Sequence, residues 1–517
     1  MFKKFIFVLC ALLISFTLIS CGGGNDVDKP VEELDVIKIY GPFDTFDPSK
    51  DYVHDLILQL TGVDVQYDFL PQDGNTANTK LYLDIAGQAQ YHLLKISPDQ
   101  FNQLRSVGAL LDITGLLQQY GPNVVENISD EVWKTATFDG KIYGVPQKNP
   151  ANNINSALFV RKDIFVDNNI PLPTTLTEFK DALIALKNAK GPNFVPFSPS
   201  THNIEPIRGA FGIVCDWIEQ EDGSLVYWTE TPAFQDYALY MKELVALGLV
   251  QDGYLTTPGD AAASRAGLQN GTVGVTVDAW WSGNGIINGI AASLGKTEPE
   301  IYENGDDYLY FIDSLLGDEN YGTPGKGQAK MDYSITYFFS IPKYMEKYAI
   351  AVIKWMNEKL EPENFKRLTI GEEGVHHQVI DGKYYPILTP DDKGNIPFDA
   401  FNKGDYFLTG IREEDYALYW QCRARKNPRQ QFVWEGMNTP EQKESVGIYD
   451  KLGLAPGFNI YGGQKQKLSL LTEEYLISVI TGQGTQMTHQ EFINKLKAEA
   501  KLDECKAEVN AWYQTTK

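Results

Sequence analysis

The sequence predicts an α/β protein folded as two lobes. Three observations carry this. Strand and helix patterns alternate from residue 36 onward, the chain is long enough for two or three cores, and it contains no internal repeat or low-complexity run.

The chain opens with a leader. Lys3 and Lys4 precede an almost unbroken apolar run from Phe5 to Thr17, too short for a mature membrane span. Leu18-Ile19-Ser20-Cys21 follows, and then Gly22-Gly23-Gly24-Asn25. A basic start, an apolar core and a small residue before the cut are the layout of an export leader. The thiol directly after Ser20 resembles the lipobox of bacterial lipoproteins, which implies cleavage after residue 20 and acylation of Cys21. The remaining 497 of 517 residues would then work outside the cytoplasm, held to a bacterial membrane only through that lipid. Residues 21–35 are polar and patternless and read as a flexible tether.

The net charge is −23, and losing Lys3 and Lys4 takes it to −25. Such a body repels nucleic acid and anionic headgroups, so neither is expected as a partner. Beyond Cys10 and Cys21 only Cys215, Cys422 and Cys505 remain, too far apart in sequence for a metal or redox motif. One disulfide or three buried thiols both fit that count.

The first unit is a βαβαβ series. Val36–Tyr40 reads as a strand, Asp51–Leu60 as a helix stopped by Gly62, and Val63–Phe69 as an alternating strand. A helix around 79–86, a strand His92–Ser97 and a helix Gln100–Ser106 follow, which implies a mostly parallel sheet with its ligand edge at the strand carboxyl ends. Thr175-Leu176-Thr177-Glu178 is a capping box that opens a helix. Gly271–Val277 and Tyr333–Pro342 read as strands, Tyr344–Glu358 as a helix, and Thr439 and Thr488 as helix starts. The chain ends with Phe492, Leu496, Leu502, Cys505, Val509 and Trp512 in helical register.

An ordered series of motifs then becomes specific. Asp139-Gly140-Lys141-Ile142-Tyr143-Gly144-Val145-Pro146 and Ala157-Leu158-Phe159-Val160-Arg161-Lys162-Asp163 are followed by Pro173–Phe179, Gly371-Glu372-Glu373-Gly374-Val375, Asp381–Tyr385 and Val509–Tyr513. Together they resemble the family 1 extracellular solute-binding proteins of ABC importers, and within these the long oligosaccharide-binding lipoproteins. The resemblance implies a two-lobed, type II periplasmic-binding-protein-like fold, with hinge crossings and a ligand cleft between the lobes. It places residues 36–155 with about 343–430 in the first lobe, and 156–342 with about 431–517 in the second. Asn152–Arg161 is the expected first crossing, with Asp278 and Tyr333–Pro342 as candidates for the return. It further implies a monomer that captures a carbohydrate by hinge closure and delivers it to membrane permease subunits, with no bond-making chemistry and no cofactor.

Sugar sites pair flat aromatics with carboxylates, amides and Arg. The candidates are Trp280 and Trp281, between a strand end and Gly283, and Trp434 in Phe432–Gly436. Asp44 and Asp47 follow the first strand, Asp99 follows the strand His92–Ser97, and Arg208 and Glu372 lie in irregular stretches. Trp217 and Trp228 are expected to pack in a core. His376-His377 cannot both face one ion, and Asn188–Phe194 lacks the repeated carboxylates of the calcium loop carried by some long relatives, so no metal is expected. An enzyme is the rival reading, as is a binder of peptide or another non-sugar solute. No GxSxG, HExxH or GxxxxGK[ST] motif supports catalysis.

Overall fold

A computed structural model of the chain describes residues 32–149, 152–199, 204–251, 261–303, 307–455 and 457–517. The leader, the acylation candidate Cys21 and most of the tether lie outside the described residues.

Two sheets, each with its own core, form the two lobes. The first sheet holds β1 (Val36–Gly41), β2 (Asp64–Phe69), β3 (Leu93–Ile96), β4 (Val145–Lys148) and a fifth strand, Ile335–Ser340. The second holds β5 (Ser156–Arg161), β6 (Val195–Ser198), β7 (Val273–Ala279) and β8 (Leu309–Ile312); Ile335–Ser340 is β9. The orders are β2-β1-β3-β9-β4 and β8-β5-β7-β6. Strands β1, β2 and β3 run parallel, as the βαβαβ rhythm requires. β9 departs from the expected parallel sheet, pairing antiparallel with both β3 and β4. The chain re-enters this lobe from the junction rather than through a crossover helix, so its strand runs opposite to its neighbours.

That strand also moves a boundary. Ile335, Phe338, Phe339 and Ile341 are buried with Ile37, Leu93 and Val352 in the first core, so the second lobe ends near residue 331 instead of 342. Asp278 pairs with Ala157 near the end of β7, inside the second sheet, and makes no crossing. The described crossings are residues 152–155 between β4 and β5, residues 332–334 before β9, and residues 425–427. The last of these joins helix Glu413–Ala424 of the first lobe to helix Pro428–Met437, whose Val433 and Met437 pack against Phe159 and Phe311 of the second.

Local chemistry sets the helix ends. Asp51 caps Tyr52–Thr61, and Gly62 ends it at φ 71°, in the left-handed region that glycine enters without strain. Thr175 with Glu178, Thr439 with Gln442, and Thr488 with Glu491 each form a capping box, worth about 1 kcal/mol apiece. The Tyr344–Glu358 segment is two elements, a 3₁₀ stretch Lys343–Tyr348 and the α-helix Ala349–Lys359. The C-terminal register is likewise divided. Lys501 sits at φ 51° and separates His489–Ala500 from Leu502–Tyr513, so that both can fold onto one core.

Cys215, Cys422 and Cys505 are three free, buried thiols in separate places. Burial pushes the first two up to about 12 and the third to about 11, which leaves them inert near neutral pH.

Candidate functional site

The lobe junction is built around polar side chains at the crossings. Asp332 accepts from Asn155 Nδ2 at 2.9 Å, from Asn149 Nδ2, and from Ser334 Oγ at 3.0 Å, so one carboxylate ties the first crossing to the second. Asn153 Nδ2 donates to Asn155 Oδ1 at 2.7 Å, and the backbone of Ile154 donates to Asn438 Oδ1 at 2.7 Å. A hinge of this kind keeps its backbone short while its side chains fix the resting geometry.

Two cavities meet above this floor. The inner one, about 490 Å³, is lined by Asn155, Glu205, Trp217, Lys330, Asp332, Tyr333, Asp450 and Tyr461. The outer one, about 760 Å³, is lined from the first lobe by Asn78, Tyr82, Asn102 and Gln103, and from the second by Tyr227, Trp228, Asn459, Gln466 and Glu473. Asp99, Asp216, Phe458 and Lys465 line both, so the cavities form one continuous groove between the lobes.

The first-lobe wall follows from β3. Its carboxyl end leads into Ser97, which caps helix Pro98–Ser106 in a capping box with Gln100, and so Asp99 and Asn102 are presented in the first turns. The opposing wall is the start of helix Ile460–Thr481. The backbone N–H groups of Asn459, Ile460 and Tyr461 all donate to the Glu508 carboxylate at 2.9 Å, which fixes this end against the last long helix. Glycine lets the walls approach. Gly457 has φ 84°, and a Cβ there would lie 3.0 Å from Asn102 Cβ and 3.1 Å from the Pro98 carbonyl. A Cβ on Gly462 would come within 3.3 Å of Asp99 Oδ1.

Electrostatics in the inner cavity centre on Lys330. Burial disfavours its charge, but Asp450, 3.1 Å away, together with Asp216 and Glu205, outweighs burial and holds the amine above the ordinary lysine value. Burial raises the Glu205 acid, and Lys330 and Arg208 only partly oppose it.

The sequence-derived candidates separate into three groups. Asp99 lines both cavities. Trp280 reaches the groove through one contact, its Nε1 donating to Asn155 Oδ1 at 3.2 Å. It also begins a row of rings. Trp281 and Trp420 lie 5.8 and 5.6 Å from it, and Trp434 lies 5.8 Å from Trp420. Trp281 is half exposed, and the buried Nε1 of Trp434 has no hydrogen-bond partner among the described residues.

The remaining candidates are engaged in holding local structure. Burial disfavours the Asp44 charge, but Lys403 at 2.8 Å outweighs it and keeps the carboxyl low. Asp47 caps the turn Pro48–Lys50, where Lys50 and Ser49 hold its carboxyl at about 2. Glu372 pairs with Arg367 at 3.1 Å and lines neither cavity. Arg208 departs from the expected cleft position. It is fully buried, with its guanidinium over the Trp228 ring at 3.7 Å, its Nε donating to the Ile213 carbonyl and its Nη2 to the Cys215 carbonyl. It lies beneath the groove wall and supports Trp228.

Trp217 and Trp228 are core residues, as expected, and border the groove while remaining buried, at 1% and 4% exposure. Sequence reasoning missed Tyr82, Lys330, Trp420, Phe458 and Lys465. One signal was available, the pair Gly462-Gly463 inside a helix, a costly placement that marks a close approach. His376 and His377 each bond backbone through Nδ1, to Glu372 N at 3.1 Å and Ile370 O at 3.0 Å. Among the described residues no group of His, Cys, Asp or Glu has a metal-holding arrangement.

Two α/β lobes, three crossings and a polar, aromatic-lined groove at the junction define a hinged receptor for a small solute. The family model described as bacterial extracellular solute-binding protein matches residues 49–358, and the chain belongs to that family. Membership places it outside the cytoplasm, in a family of binding proteins. No described helix is long and apolar enough to cross a membrane. An uncharacterised protein in the butB 5′ region of Niallia circulans is 30% identical over 282 residues, covering 54% of this chain and all of that protein. Among solved structures, the alginate-binding protein AlgQ2 without calcium superposes with a TM-score of 0.67 at 17% identity, covering 93% of this chain and 98% of that one. The Streptococcus pneumoniae ABC-transporter substrate-binding protein FusA in complex with kestose gives 0.61 at 14%, covering 93% and 100%. A solute-binding protein associated with HMO-binding ABC transport from Bifidobacterium longum infantis gives 0.61 at 15%, covering 93% and 98%. At these identities the likeness establishes the fold.

Proposed function

We propose that this protein is the substrate-binding lipoprotein of an ABC importer, capturing an oligosaccharide in the interlobe groove and delivering it to membrane permease subunits. The observation that carries the reading is the groove lining. Tyr82 offers a partly exposed ring, and the buried rings of Trp217, Tyr227, Trp228 and Phe458 form the apolar wall behind it, beside the amides of Asn78, Asn102, Gln103, Asn155 and Asn459. Sugar rings offer C–H faces to the first set and hydroxyl groups to the second. Two joined cavities of about 490 and 760 Å³ suit several rings rather than one. The tryptophans 280, 281, 420 and 434 would add stacking surface behind the inner cavity.

Anchoring falls to Cys21, whose acylation after removal of residues 1–20 would tether a monomeric receptor to the membrane through residues 21–35. Hinge closure would hide the sugar from water and create the surface that the permease reads. A thermal-shift screen of mono- and oligosaccharides, peptides and polyamines tests the ligand class. A tight ligand at a hundred times its Kd adds about 2.7 kcal/mol and raises the melting temperature. An oligosaccharide hit is the expected result. A peptide or polyamine hit with no sugar response would overturn the carbohydrate assignment. Cys21→Ser should release the protein from the membrane fraction and leave ligand binding unchanged.

A further inference from the structure

We propose that the interlobe groove selects neutral or amine-bearing oligosaccharides and rejects those carrying uronate or sulfate groups. This rests on the saccharide reading above and narrows it. Five carboxylates line the two cavities, Asp99 and Asp216 where they join, Asp332 and Asp450 in the inner one and Glu473 in the outer one, with the Glu205 acid, which burial raises, beside them. Two ammonium groups oppose them, Lys330 and Lys465.

The cations near the groove are largely committed. Lys330 is bound to Asp450 at 3.1 Å. Arg208, buried beneath the wall, donates to the Ile213 and Cys215 carbonyls and pairs with Asp216 at 3.9 Å, which leaves Asp99 as the less compensated charge where the cavities join. Asp332 is held as an acceptor by Asn149, Asn155 and Ser334. That leaves Lys465, exposed on the helix face, to meet an incoming anion in the stretch it shares with Asp99 and Asp216.

An anionic ring entering this groove meets like charge on both walls. Closure raises that cost, because expelling water lowers the local dielectric. A neutral sugar meets the same carboxylates as a hydroxyl donor and gains charge-assisted hydrogen bonds. An amino sugar gains an ion pair as well. The −23 charge of the whole chain adds a longer-range repulsion that salt weakens.

The test compares each oligosaccharide that binds with its C6-oxidised uronate form, titrated calorimetrically into the full chain at low and high salt. The uronate form should bind at least about tenfold more weakly, and the gap should narrow as salt rises. The Asp99→Asn, Asp216→Asn double variant should shrink that gap while its circular dichroism stays unchanged. Equal or tighter binding of the uronate form would overturn the charge selection and leave the saccharide reading standing. A folded double variant with an unchanged gap would overturn the assignment to these two residues. Binding of no saccharide of either kind would overturn the underlying reading itself.

Discussion

Asn102 and Asn459 join the two walls of the groove, the Asn102 Nδ2 donating to the Asn459 Oδ1 at 2.9 Å across the lobe boundary. Asn102 belongs to the helix that β3 feeds, and Asn459 to the entry of the long second-lobe helix. Both side chains line the outer cavity, so a ligand there touches a pair already in register. A double-mutant cycle with Asn102→Ala and Asn459→Ala, read in ligand affinity by calorimetry, should give a coupling energy of about 1 kcal/mol. Additive single losses would separate the two walls energetically.

Arg208 should act on stability. Removing it leaves the Ile213 and Cys215 carbonyls short of a donor and uncovers the Trp228 face. Arg208→Ala should cost about 3 kcal/mol in urea unfolding, with Arg208→Lys intermediate because one ammonium cannot reproduce the planar fork. A stable variant that had lost sugar binding would return Arg208 to the ligand.

The tryptophan row makes a separate prediction. Trp280→Ala should weaken oligosaccharide binding about tenfold, the loss of a stacking face together with the bond to Asn155. Trp281 is half exposed, and Trp281→Ala should leave the melting temperature nearly unchanged, so its effect on affinity reads ligand contact directly. Unchanged affinity in both variants would remove the row from the site.

Lys95 predicts a pH dependence. It is buried in the middle of the first sheet, donating to the Asp405 carbonyl at 2.7 Å beside the Tyr337 ring. Burial pulls its amine down from 10.5 to about 7, and Asp405 opposes this only in part. Between these values the unfolded chain holds a proton that the folded chain has shed, so stability rises with pH across that window and is flat below it. From pH 7 to 9 the gain from this group is about 2 kcal/mol, and Lys95→Met should flatten the rise in melting temperature. An unaltered slope in the variant would mean that Lys95 keeps its charge when buried.

Much of the first lobe was legible in the sequence because its signals are local. Asp51 and Gly62 bracket a helix, and Val65 and Tyr67 alternate with polar residues; in the second lobe Thr175 and Glu178 cap reciprocally for the same local reason. Those patterns depend on neighbours within four residues. The direction of β9 was not legible, because an apolar run such as Ile335–Ser340 reads the same whether it pairs parallel or antiparallel, and in one lobe or the other. The site divided in the same way. Asp99 follows from a strand end, whereas Lys330, Phe458 and Lys465 reach the groove only through the third dimension. Arg208 shows the converse limit, since an irregular stretch of sequence does not reveal whether a long cation turns toward solvent or into a core.

Hydrogen–deuterium exchange with and without a saturating oligosaccharide hit tests the central claim most directly, because it reads both walls of the groove at once. The account predicts slower exchange in residues 99–106 of the first lobe together with residues 457–466 of the second. Protection confined to one lobe, or lying only outside these segments, would contradict it.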